Sequence, residues 1–174
     1  SYLEKLTMSL PPAQLGAAYL NFIASHDGIG LRPCEGMLSK NEIKKLISKM
    51  NENGGEVSYR TNKDNKKAPY EINISLFDAM QETFTGNKDF HFERFLCIHI
   101  IMLSLEGVPA FYIHSLFGTK NDHNLYAKTN RKRDLNRHVF KIDSLKEIID
   151  DENNHGSFIF YKLKSLIAVS YTHL

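Results

Sequence analysis

The feature that most constrains the fold is an alternation of one short apolar run, one long helical pattern and a second short apolar run. The first run is Tyr19 to Ala24 (YLNFIA), too short for a helix and built from Tyr, Phe and Ile, which suit a pleated surface. Phe90 to Leu105 then places Phe92, Phe95, Leu96, His99 and Leu103 at helical spacing. Ile98, Ile100 and Ile101 fill other faces, which predicts a helix buried on more than one side. After Gly107-Val108-Pro109, the run Ala110 to Ile113 reads as the second strand. Strand, long helix, strand is the order of a parallel α/β sheet, here with an excursion after the first strand.

The excursion has its own local signals. Ser39-Lys40-Asn41-Glu42 is a capping-box pattern that opens a helix over Lys40 to Asn51, and Asn53-Gly54-Gly55 stops it. Glu56 to Arg60 and Pro69 to Ile74 read as paired strands around the polar turn Thr61 to Lys67. Leu76 to Phe84 reads as a short helix with Asp78 and Glu82 exposed. At the N-terminal end, Ser1 to Leu10 reads as helix ended by Pro11-Pro12, without a capping signal at its start, so the chain is expected to begin inside a larger structure. Ser144 to Asp150 and Phe158 to Ala168 read as the last helices.

Composition narrows the class. The 174 residues suffice for one ordinary domain, and 42% hydrophobic with 24% charged residues is that of a soluble globular protein. A net charge of +2 is too close to neutral to argue for a nucleic-acid partner, and the basic run Lys128 to Arg137 is interrupted by Asp134 and Asn136 and lacks an aromatic stacking platform. No apolar run approaches the roughly 18–20 residues of a membrane span. Cys34 and Cys97 stand far apart, which fits a reduced, cytoplasmic protein. No metal-binding motif, dinucleotide fingerprint or nucleophile elbow occurs, so neither metal nor organic cofactor is expected.

Chemistry concentrates where the first strand ends, at Ser25-His26-Asp27-Gly28-Ile29-Gly30. An imidazole beside a carboxylate, followed by turn-forming glycines, is how parallel-sheet enzymes present catalytic groups. A buried strand ending in a capped turn, with Asp27 bonded to its own backbone, would carry the same residues, and these residues alone do not separate the two. His114, Asn121 and Asp122 follow the second strand and in a parallel sheet fall on the same edge. Such donor–acceptor side chains suit a sugar or similar polyol, and Arg32, Arg133 and Arg137 could bind a carboxylate or phosphate. His99 reads as a satisfied core histidine, and His91 and His155 as surface residues.

The stretch NFIASHDGIGLRP resembles the strand-seven motif of the α-amylase superfamily (glycoside hydrolase family 13), where a His-Asp pair ends a barrel strand. With PYEIN, GVPAFYIHSLFGTKND and RDLNRH following in order, the resemblance is to the sucrose phosphorylase group. It is nearest to the branches of sucrose 6-phosphate phosphorylase and glucosylglycerate phosphorylase, and it runs from about Leu10 to Ile167.

The resemblance implies the C-terminal portion of a (β/α)8 TIM barrel. Residues 1–29 would hold the end of helix six and strand seven, 30–88 an α+β insertion, and 89–168 helix seven, strand eight and the helix-eight region. Residues 169–174 depart from the family pattern and are expected to be a non-native tail. A whole barrel takes roughly 250 residues, so the chain is expected to be a fragment whose missing N-terminal part belongs to the same enzyme. The implied parent is a retaining α-glucoside phosphorylase acting on an α-glucoside and inorganic phosphate. Asp27 matches its transition-state-stabilising carboxylate, and His26 and Arg137 match glucose-binding residues. Tyr70, Glu71 and Asn73 match the acceptor or phosphate side. No counterpart of the family's nucleophilic aspartate or acid/base glutamate occurs, so the chain alone is expected to be inactive. A hydrolase or transglucosidase of the same superfamily, or an inert remnant, are the alternatives.

Overall fold

The computed structural model describes residues 1–61 and 65–172, with helices and strands mixed along the chain. The opening helix α1, Tyr2–Ser9, is capped after all. Ser1 Oγ accepts from the Glu4 amide at 3.1 Å while the Glu4 carboxylate returns to the Ser1 amine at 2.9 Å. The expectation of an uncapped start is thus corrected: Ser1 and Glu4 have capping-box spacing.

The predicted parallel pair is present but short. Strand β1, Leu20–Asn21, pairs in parallel with β5, Val108–Pro109. Val108 donates to the Tyr19 carbonyl and Ala110 to that of Asn21, both at 2.8 Å. The second strand therefore lies earlier than Ala110 to Ile113. Gly107, at φ +123°, brings the backbone so close to Tyr19 that a Cβ there would clash. Ile113 already opens the short helix α5, Ile113–Leu116.

Between β1 and β5 lies a small α+β unit. Ser39 and Glu42 form the predicted capping box, and α2 runs Lys40–Glu52 until Gly54 takes φ +84°. Strand β2, Ile29–Gly30, and β3, Glu56–Thr61, flank β4, Lys67–Asn73, in an antiparallel sheet. Val57 stands opposite Ile72, and both pack with Leu31, Met50, Ile74 and Ala79 into one core. Because strand side chains alternate, Glu71 and Asn73 share the opposite face from Ile72. That face is buried too, since the loop ending β1 covers it: the Asn73 amide donates to the Asp27 carbonyl at 2.8 Å.

The expected helix from Leu76 to Phe84 ends at Ala79, as α3, Leu76–Ala79. Arg94 takes over the next carbonyls, Met80 at 3.0 Å and Gln81 at 2.8 Å. Asp78 and Glu82 are not the exposed carboxylates expected. Asp78 accepts from the Asn121 amide at 2.6 Å, and Glu82 pairs with Lys49 at 2.9 Å.

Helix α4, His91–Leu103, packs Phe95 against Ile159 and Leu163 of the terminal helix α8, His155–Thr172. His99 is buried, its Nδ1 donating to the Phe95 carbonyl at 2.8 Å, while Nε2 has no hydrogen-bond partner. It is a core histidine left half satisfied. His91 and His155, expected at the surface, are partly buried against Phe77, with ring centroids 4.1 and 5.3 Å away. Between β5 and α8 the chain forms α6, His123–Thr129, a 3-10 turn at Lys132–Asn136, and α7, Ile142–Asp150. Of the expected non-native tail, residues 173 and 174 lie outside the described residues.

Candidate active site

The strand-end loop makes its own internal hydrogen bonds. Ser25 Oγ accepts from the Asp27 amide at 3.2 Å, and the Ser25 carbonyl accepts from Gly28 at 3.1 Å. Gly28 sits at φ +98°, and a Cβ there would run into the Ile72 carbonyl. Only glycine lets the loop lie this close to β4.

This turn aims Asp27 at the 3-10 turn, which supplies the cations. Asp27 Oδ1 accepts from Arg137 Nη2 at 3.0 Å and lies 3.1 Å from Arg133 Nη1. His26 Nε2 stands 3.3 Å from the same oxygen. Arg137 also donates through Nε to the His26 carbonyl at 2.8 Å. Arg133 extends its fork to Glu71, Nε to Oε1 at 2.8 Å and Nη2 to Oε2 at 3.1 Å. One guanidinium therefore bridges two carboxylates, a geometry that a planar five-donor group provides and an ammonium does not.

The predicted residues come together unequally. Asp27, His26 and Arg137 meet at a partly open surface, and the His26 side chain is 67% exposed. Glu71 and Asn73 stand behind them, buried, with their polar atoms engaged: Asn73 donates to Glu71 at 3.0 Å and accepts from Ser58 Oγ at 2.6 Å. Tyr70 lines a cavity of about 410 Å³ shared with Asp27, Glu71, Arg32 and Phe22, and Arg60 lies over its ring at 5.3 Å.

His114, Asn121 and Asp122 do not join this site. Asn121 accepts from the Ser75 amide at 2.7 Å, Asp122 caps α6 and pairs with His138, and His114 is buried beside Thr119. Their polar groups are spent on structure, so sharing an edge with Asp27 does not bring them to it. Asn136, which the residue reading did not single out, donates to the Ser25 carbonyl at 2.7 Å, and Tyr112 donates to the Asn136 carbonyl at 2.7 Å. The available signal for Asn136 was its place between the two site arginines. Burial raises the Tyr112 hydroxyl pKa above the usual tyrosine value, so this donor keeps its proton.

Among the described residues, no group of three or more His, Cys, Asp or Glu is placed to hold a metal ion, and no helix is long and apolar enough to cross a membrane. The arrangement is a carboxylate fixed in orientation by two arginines and flanked by an exposed imidazole, beside a cavity with a tyrosine and an arginine. It can grip vicinal hydroxyls and oppose a developing positive charge.

No protein-family model matches the sequence. The chain is 33% identical over 166 residues to the glucosylglycerate phosphorylase of Escherichia coli (strain K12), an alignment of 95% of this chain and 29% of that protein. It is 38% identical over 156 residues to the glucosylglycerate phosphorylase of Allomeiothermus silvanus, covering 89% of this chain and 28% of the relative. Among solved structures, the sucrose 6F-phosphate phosphorylase from Thermoanaerobacter thermosaccharolyticum shares the fold. The TM-score is 0.75 over 98% of this chain and 32% of that one, at 20% identity. The chain thus spans less than a third of the length of these curated relatives. In sequence the chain is similar to glucosylglycerate phosphorylases, and in fold to a sucrose 6F-phosphate phosphorylase.

Proposed function

We propose that the chain is the part of a (β/α)8 barrel that runs from the end of helix six to the helix-eight region of a retaining α-glucoside phosphorylase. Residues 30–88 are then the insertion between strand seven (β1) and helix seven (α4). The parallel β1–β5 pair supports this reading, because its apolar residues Leu20 and Val108, and Phe22 just after β1, are each more than half exposed, as a barrel opened at a strand edge would leave them.

The observation that carries the functional reading is the convergence of Arg133, Arg137 and His26 on Asp27 Oδ1. In the longer enzyme, an aspartate supplied by the missing part attacks the glucosyl anomeric carbon. The acceptor leaves with a proton from a glutamic acid, and a phosphate oxygen then displaces the aspartate to give α-glucose 1-phosphate. Both transition states carry positive charge on the glucosyl ring. Asp27 opposes that charge while its free oxygen and His26 hold ring hydroxyls, and Arg137 fixes the carboxylate's rotamer. Glu71 and Asn73 serve from behind, setting Arg133 and the Asp27 backbone. Tyr70 and Arg32 face the cavity from the acceptor side, where an anion has to outcompete water. A glucosylglycerate-like, sucrose-like or sucrose 6-phosphate-like donor fits this scheme. No metal or organic cofactor has a part in it, and free thiols at Cys34 and Cys97 suit the cytoplasm.

The test is phosphate-dependent release of glucose 1-phosphate by the longer enzyme. Free glucose formed at the same rate with and without phosphate contradicts the reading. The 174-residue chain alone is expected to show no turnover, since the nucleophile and acid/base lie in the missing part.

A further inference from the structure

Three of the side chains that hold Asp27 and its loop, Arg133, Asn136 and Arg137, lie on one short strap, residues 131–138. Its leading part is tied repeatedly. Arg131 pairs with Asp134 at 2.9 Å, Lys132 Nζ donates to the Val57 carbonyl at 2.7 Å, Arg133 forks onto Glu71, and Asn136 donates to Ser25. Past Arg137, Val139 is 77% exposed, while the Phe140 ring packs against His114 and Phe117. The side-chain hydrogen bond at that end is His138 Nδ1 to Asp122 Oδ2, at 2.6 Å.

Asp122 is a fixed anchor. Its amide donates to the Leu135 carbonyl at 2.8 Å, and its Oδ1 accepts from the Leu125 amide at 2.8 Å. The preceding residue, Asn121, is bolted to the α+β unit through Asp78 at 2.6 Å and Ser75 at 2.7 Å. Burial alone would push the Asp122 carboxyl up, but the His138 and Leu125 donors outweigh it and hold the pKa below the usual value. Asp122 is therefore an acceptor for His138 across the neutral range. Phe140 sets its ring edge-on to that imidazole, centroids 4.7 Å apart.

We propose that Asp122 and His138 form a positioning pair for the Asp27 site. They pin the trailing end of the strap so that Arg137 lays Nε on the His26 carbonyl and Nη2 on Asp27. The significance of this pair for catalysis rests on the phosphorylase reading, whereas the geometric claim does not.

The test reads guanidinium Nε–H exchange in the 174-residue chain, with no substrate present. The Arg137 Nε–H resonance is assigned by its loss in Arg137→Lys. In His138→Leu, its protection from solvent exchange falls about tenfold or more, the signature of local opening. The Nε–H groups of Arg133, bonded to Glu71, and of remote Arg94, bonded to Met80, keep theirs. His138→Asn, which places a donor near the Nδ1 position, restores the Arg137 signal. Unchanged Arg137 protection in His138→Leu overturns the proposal, as does equal loss at all three arginines, which would mark a general packing defect. If His138→Leu does not fold, Asp122→Asn decides by the same two outcomes, since asparagine still caps α6 while the charge facing His138 is gone. A protected Arg137 in an enzyme that makes no glucose 1-phosphate would sink the phosphorylase reading and leave the pair standing.

Discussion

Arg137 Nη2 meets Asp27 Oδ1 at 3.0 Å although 110 positions separate the two residues in the chain. The contact does not rest on Arg137 alone. The Asp27 backbone is held from below by Asn73, the turn before it by Asn136, and the carboxylate again by Arg133. Strand end, inserted sheet and 3-10 turn therefore converge on Asp27 and the turn that carries it. The site is a junction of three segments, and its geometry depends on all three being folded.

The Arg133–Glu71 pair should be asymmetric in stability. The Glu71 side chain is 6% exposed and that of Arg133 42%. Arg133→Ala strands a buried carboxylate and is predicted to cost about 3 kcal/mol, at the low end for a broken buried pair because Arg133 is partly solvated. Glu71→Gln keeps an acceptor for Arg133 and should cost about 1 kcal/mol. Urea denaturation of both variants checks the order, and a larger loss for Glu71→Gln would contradict it.

Two glycines should answer differently to a methyl group. Gly28 and Gly36 both take positive φ, +98° and +83°, but only Gly28 faces a wall, the Ile72 carbonyl. Gly36→Ala is predicted to cost about 1 kcal/mol, the backbone penalty alone, and Gly28→Ala clearly more. Thermal melts of the pair suffice, and equal shifts would show that the Asp27 loop lies farther from β4 than described.

Stability should fall on mild acidification because of His114. Burial, and secondarily the nearby His138, pushes its pKa from 6.5 down to about 4. The folded chain keeps this imidazole neutral, whereas the unfolded chain protonates it below about 6.5. Its contribution is therefore complete above about pH 6.5 and is lost progressively as pH falls to about 4, at most about 3 kcal/mol. Denaturation midpoints across that window should slope less in His114→Asn. An unchanged slope would show that His114 is not the group responsible.

Much of this fold is legible in local sequence because its signals are local. Ser39 and Glu42 announce α2, the spacing of Phe92, Phe95 and His99 announces α4, and the polar turn between two apolar runs announces the β3–β4 hairpin. What pattern reading misses is settled by distant partners. Helix α3 stops early because Arg94 competes for the next carbonyls, and Asp78 is only partly exposed because Asn121 reaches it. His114, Asn121 and Asp122 show the limit at the site itself. The order of elements places them on the edge that carries Asp27, yet their polar atoms are taken up by neighbouring backbone and side chains. Conversely, Asn136 is marked in the sequence only by standing between Arg133 and Arg137, because its role depends on where the Ser25 carbonyl lies.

The central claim is that Asp27 opposes positive charge in a glucosyl-transfer transition state. Its most direct measurement is kcat for glucose 1-phosphate formation by the longer enzyme carrying Asp27→Asn, an isosteric change that leaves an acceptor oxygen for Arg137. Removing the charge should cost several kcal/mol of transition-state stabilisation, a loss of at least about 10³-fold in kcat. A variant that folds and stays within about tenfold of the parent would contradict the claim, since tenfold is only about 1.4 kcal/mol, and would leave Asp27 as a structural anchor for its two arginines.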